Sequence, residues 1–223
     1  MVPDMLRRSP LASLLPAVSL DGEYPAKRPL SAGLMLAERA PHQMLLLSAY
    51  EPTDISGAFS AAAGHAAPDQ GQARTEGEIT WLWQGPGRLL RVAHCQADTM
   101  DLPESQRRFG ASHAVVDLSH ARTIVRLSGA AARHTLAKGC SLDMRLQAFG
   151  AGCVALTTLA RIPVVLHALG EHDLDIYWSR SYAQAGVEWL IEAGSEAGLT
   201  GLCATAELVP ERALNRPGFR RLP

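Results

Sequence analysis

Asp117, Ser119 and His120 stand almost side by side, and an acid, a hydroxyl and an imidazole are the groups that acyl transfer needs. In a short turn the carboxylate can orient the imidazole. The simpler use of Asp in such a segment is to cap the turn through backbone amides. A nucleophilic serine on a strained strand-to-helix turn carries the pattern GxSxG, which is absent. Cys140 follows Lys138 and Gly139, so a nearby amine can favour its thiolate. A glycine that ends a helix, followed by a small buried thiol, accounts for the same residues. His42, His65, His94, His113, His120, His134, His167 and His172 form neither HxH nor HExxH. Neither GxGxxG nor GxxxxGK occurs, and Gly85-Pro86-Gly87 joins two apolar runs rather than opening a helix, so no phosphate cradle is formed. Trp81 and Trp83 share one strand face and can stack a ligand or pack beneath a helix. No catalytic, cofactor-binding or metal-binding residue is therefore assigned.

Composition narrows the classes further. At 223 residues and 47% hydrophobic, the chain can bury a core without metals or disulfides. Its 21 Lys and Arg balance 22 Asp and Glu, which leaves no basic excess to draw it onto nucleic acid. Aromatic residues make up 5%, few for a base- or flavin-stacking surface. Cys95, Cys140, Cys153 and Cys203 form no CxxC pair and read as reduced thiols of a cytoplasmic protein. Pro10 and Pro16 interrupt the apolar residues after Arg7 and Arg8, against a targeting signal. No apolar run reaches the ~18 residues of a membrane span.

The elements that must position these residues follow from periodicity. Residues 1–29 are proline-rich and read as an extended N-terminal arm whose apolar side chains need a surface to lie on. Residues 30–112 read as strand, helix, strand, strand: an apolar run at 44–50, an alanine-rich helix at 53–63, and a hairpin from 79–83 and 89–93. Residues 113–199 repeat that order. There the strand at 123–127 leads to Ser128 as a helix cap, a helix from Ala130 to Lys138 and a stop at Gly139. Strands at 153–159, 164–169 and 174–178 come next, then a helix from Ala183 to about Gly198 with Val187, Leu190, Ile191 and Gly194 on one face. Two similar halves of this kind predict an α+β fold with antiparallel sheets and helices packed on them. Residues 200–223 form a C-terminal extension. Its last fourteen residues hold Arg212, Arg216, Arg220 and Arg221, and read as an unstructured tail or as a clasp on an acidic groove.

The ordered set Ser9-Pro10-Leu11, Trp81 before a Gly-Pro turn, Arg122-Thr123, Leu127-Ser128-Gly129, Lys138-Gly139-Cys140, Leu142-Asp143, Phe149 and Arg180-Ser181 with Trp189 resembles the gamma subunits of heterotetrameric sarcosine oxidases. The likeness runs from about Ser9 to Gly198 and is strongest over 117–158. It implies a fold like the folate-binding domains of aminomethyltransferases and an accessory role without a catalytic site in this chain. It also implies a complex that oxidatively demethylates sarcosine or a related N-methyl amino acid. The partners implied are a large alpha subunit with beta and delta subunits, and those chains would hold FAD, FMN, NAD, tetrahydrofolate and zinc. The chain departs from the family pattern at Gly87-Arg88-Leu89 and at His120, which leaves room for a substrate such as N-methylglutamate. The alternative is an independent aminomethyltransferase-like or tetrahydrofolate-binding protein.

Overall fold

The computed structural model describes residues 9–11, 14, 33–39, 41–51, 55–95, 98–110 and 112–204. Its apolar runs are short, rich in Leu, Val and Ile, and bounded by Gly, Pro or Asp, so they pair as strands. A six-stranded sheet has the order β11 (Leu199–Ala204), β1 (Leu34–Arg39), β7 (Arg122–Ser128), β10 (Asp173–Ser179), β9 (Ile162–Ala168) and β8 (Val154–Leu159). A five-stranded sheet has the order β3 (Ala73–Glu76), β4 (Ile79–Trp83), β5 (Arg88–Ala93), β2 (Gln43–Ala49) and β6 (His113–Asp117). All pairings are antiparallel except that of β1 with β11, which is parallel.

Three apolar clusters define the layers. Helices α3 (Ala132–Ala137) and α4 (Ala183–Ala193) cover the six-stranded sheet, burying Leu36, Val125, Leu166, Ile176 and Trp178 with Leu136, Val187 and Leu190. The two sheets meet through Met44, Leu82, Leu90, Val92, Ile124, Val165 and Tyr177. Helices α1 (Ile55–Ala63) and α2 (Leu102–Phe109) cover the other face of the five-stranded sheet, where Phe59 and Phe109 meet Trp81 edge to face. The order is therefore helices, sheet, sheet, helices, and the expected α+β class with antiparallel sheets is what the chain forms. Each sheet takes one strand from across the boundary at residue 112, since β1 joins β7 while β6 joins β2.

Close approaches set how the outer helices dock. A Cβ on Gly186 of α4 would lie 2.4 Å from the Trp178 ring, and one on Gly139 would lie 2.4 Å from the Trp189 ring. Only glycine lets each indole lie against backbone. Residues 9–11 are part of the fold: Leu11 is fully buried in the cluster that holds Leu34, Leu136 and Leu190, and Ser9 donates its hydroxyl hydrogen bond to the buried carboxylate of Glu38. The Ser9 oxygen also accepts from the Leu11 amide at 2.9 Å.

Two sequence expectations change. Ser128 does not cap a helix. It lies at the end of β7, and its hydroxyl donates to Asp173 Oδ1 at 2.6 Å, because two further turn residues at Gly129 and Ala130 intervene before the helix and Ala131 takes the cap position. The last long helix stops at Ala193, and a 3-10 turn at Ser195–Ala197 follows it. The Arg-rich stretch at 210–223 lies outside the described residues.

Candidate functional site

The acid, hydroxyl and imidazole near residue 117 come together as a turn. Asp117 Oδ1 accepts from the Ser119 amide at 2.7 Å and from the Ser119 hydroxyl at 2.5 Å, and Ser119 Oγ in turn accepts from the Met44 amide at 2.9 Å. His120 points to solvent and takes no part. These bonds stitch the β6–β7 connection to β2. Cys140 is buried with its sulfur 3.6 Å from the Thr157 hydroxyl, and Lys138 turns away from it to the Ala193 carbonyl at 2.6 Å and the Glu196 carboxylate. Lys138 thus satisfies the C-terminal end of α4 rather than activating a thiol. Trp81 is packed between the two helices that cover its sheet, and Trp83 lies against the same cluster.

The segment 117–158 is held from within. Arg133, on α3, donates to the carbonyls of Glu171, Met144, Phe149 and Gly170 at 2.7 to 2.9 Å. That fixes the loop that buries Met144 and Phe149. Among the described residues no group of three His, Cys, Asp or Glu side chains is placed to hold a metal ion. No helix among them is long and apolar enough to cross a membrane.

The largest concentration of charge was not apparent in the sequence. Arg126 on β7, Asp175 on β10 and His167 on β9 sit at one level of three adjacent strands, facing the gap between the sheets. Arg126 clasps Asp175 through two parallel bonds of 2.7 and 2.8 Å, with the carboxylate side chain only 4% exposed. Burial pushes the His167 imidazole down to about 4, with the Asp175 charge opposing that shift, and burial also lowers His94 nearby. Burial, joined by the Asp175 charge, raises the Tyr177 phenol well above its ordinary value. The row therefore holds one internally neutralised ion pair flanked by a neutral imidazole and a neutral phenol. The ion pair ties β7 to β10 within the six-stranded sheet, on the face turned toward the smaller one.

Among the described residues, two clefts open to the surface. One, of about 230 Å³, is floored by Trp81 and Phe109 and edged by Arg91 and Arg108. Arg91 is already engaged, donating to the Asp98 carbonyl at 2.5 Å and lying over the Trp81 ring. The other, of about 420 Å³, opens between β8, β9 and the end of β4, with Arg122 in its wall. Arg122 donates its backbone amide to the Leu118 carbonyl at 3.2 Å, and its guanidinium has no carboxylate beside it among the described residues.

The family model described as "Sarcosine oxidase, gamma subunit family" matches residues 54–196. The sarcosine oxidase subunit gamma of Corynebacterium sp. (strain U-96) is 33% identical over 195 residues, covering 86% of this chain and 91% of that one. The corresponding protein of Arthrobacter sp. is 32% identical over 201 residues, with the same coverage. That of Corynebacterium sp. (strain P-1) is 39% identical over 116 residues, and the match spans 56% of its length. Among solved structures, a chain of the heterotetrameric sarcosine oxidase from Corynebacterium sp. U-96 superimposes with a TM-score of 0.71 at 32% identity, over 87% of this chain and 98% of that one. The aminomethyltransferase T of the Bartonella henselae glycine cleavage system shares the fold, with a TM-score of 0.57 at 17% identity, over 77% of this chain and 48% of that one. The family model matches 54–196, and relatives 32 and 33% identical cover 86% of the chain, so the chain belongs to the sarcosine oxidase gamma subunit family.

Proposed function

We propose that this chain is a noncatalytic accessory subunit of a heterotetrameric, sarcosine-oxidase-type complex that oxidatively demethylates sarcosine or a related N-methyl amino acid. The observation that carries the reading is the near-complete match to one chain of a solved heterotetrameric sarcosine oxidase. The commitment of Asp117, Ser119, Cys140 and Lys138 to turns, packing and helix ends supports it. In this reading the partners are a large alpha subunit with beta and delta subunits, and FAD, FMN, NAD, tetrahydrofolate and zinc belong to those chains. The complex is cytoplasmic.

Co-expression with the neighbouring flavin-oxidase genes tests this, followed by size exclusion monitored at flavin absorbance. Co-elution with flavin only when the large subunits are present is the expected outcome. A stable lone chain that ignores those subunits and binds tetrahydrofolate overturns it in favour of an independent folate-binding protein.

A further inference from the structure

The six-stranded sheet extends past the five-stranded one at its β8 edge. The side chains of β8 and of the adjoining end of β9 that face the smaller sheet therefore lie bare: Leu156 is 50% exposed, and Thr158 and Pro163 are exposed beside it. Where the smaller sheet ends, the 420 Å³ cleft begins, and two polar side chains stand in its wall. Arg122 is partly buried, and its guanidinium has neither ion pair nor side-chain hydrogen bond among the described residues. Burial lowers its proton affinity, and no carboxylate among the described residues offsets that. Gln84 is 6% exposed, and its side-chain amide makes a single contact of 3.5 Å, to the carbonyl of Trp83. That distance is long for a hydrogen bond.

A guanidinium carries five donors in a planar fork, and taking it part-way out of water without a partner costs free energy. Three other partly buried arginines have matched guanidiniums: Arg126 by Asp175, Arg133 by four carbonyls, Arg91 by a carbonyl. Arg122 and Gln84 together present three or more N–H donors to one opening that has an apolar lip. That is the recognition chemistry of a carboxylate carried beside an apolar side chain.

We propose that this cleft seats an Asp or Glu side chain from a partner subunit, whose neighbouring apolar residue covers Leu156 and Pro163. The inference rests on the accessory-subunit reading above. The cleft is open along a sheet edge, so a free small carboxylate held there would stay hydrated and gain little. A carboxylate on a docking chain is desolvated by the surface that comes with it, and its pairing with Arg122 then counts.

The test compares wild type, Arg122→Gln, Arg122→Lys and Leu156→Asp in co-expression with the large subunits, reading the dissociation constant of the assembled complex. Arg122→Gln is expected to weaken assembly by about tenfold or more, with Arg122→Lys recovering part of it because the charge survives and the fork does not. Leu156→Asp, at a position already open to water, is expected to weaken assembly without lowering the melting temperature of the full chain alone. If wild type assembles and Arg122→Gln assembles equally well, the seat is refuted while the accessory role stands. Failure of wild type to assemble refutes both. An Asp21→Asn, Glu23→Gln double variant that reproduces the Arg122→Gln loss overturns the proposal by placing the carboxylate in this chain's own N-terminal segment. So does succinate raising the melting temperature of the wild-type chain and not of Arg122→Gln.

Discussion

The Arg126–Asp175 pair shows how much depends on a partner being present. The two residues are 49 positions apart in sequence and directly opposite in strand register. Removing one partner of such a pair leaves the other charge in a low-dielectric gap. Asp175→Ala is therefore expected to lower unfolding free energy by about 3–5 kcal/mol, measured as a shift in urea midpoint, while an apolar replacement of both residues recovers most of it. His167 adds a pH dependence of definite sign. Its folded value, near 4, lies below the ordinary 6.5, so the unfolded chain binds the extra proton between these limits. The stability from keeping it neutral is present above about pH 6.5 and is lost as pH falls toward 4. Urea melts from pH 7 to pH 4 should therefore show a steeper loss in wild type than in His167→Asn. Neither residue drew notice in the sequence, because a lone charge within VRLS or LDIY becomes informative only when the register brings the two together. The one available sign was a charged residue at the centre of an otherwise apolar strand.

At the scale of elements, local grammar was legible where it was strong. Gly85-Pro86-Gly87 between two apolar runs yields the β4–β5 hairpin, and the spacing of Val187, Leu190 and Gly194 yields the buried face of α4, with Gly194 against the Leu34 side chain. Five elements escaped: β1, β3, β6, α2 and β11. Helix α2 carried a readable signal, since Asp101 caps it through the Glu104 amide at 2.9 Å with Pro103 in the first turn. Its low apolar content hid it. β1 was hidden for a different reason: it is buried against partners far along the chain and has no local hairpin to mark it. The β8–β9 hairpin turns on Ala160 and Arg161, both at positive φ, 50° and 68°. Left-handed backbone is unfavourable for both, and the shape is one that Asn-Gly adopts readily. Ala160→Asn with Arg161→Gly is expected to raise unfolding free energy by about 1–2 kcal/mol, as read by thermal denaturation.

Across the whole molecule, the residues that the sequence weighed for chemistry, Asp117, Ser119, Cys140 and Lys138, are engaged in turns, packing and helix ends. The open cleft could not be read, since it exists because one sheet outreaches the other, a property of no single segment. The proline-rich arm needed a surface, and Leu11 has found one inside the chain's own core beneath α3 and α4. Leu11→Ala is expected to lower unfolding free energy by about 2–5 kcal/mol, as a full core truncation does, which circular dichroism melts would detect. A value near zero would mean that the arm merely rests on the surface.

The exchange of β1 and β6 between the sheets bears on how the chain is made. Leu34 emerges early from the ribosome, yet its strand lies between Leu127 on one side and Leu199 on the other. At ~5–20 residues per second, synthesis leaves β1 without its second neighbour for on the order of ten seconds. During that wait an apolar strand with free edges is open to the wrong chain. Neither sheet is complete until strands from both halves have been made, so the order of synthesis makes the folding of each half wait on the other.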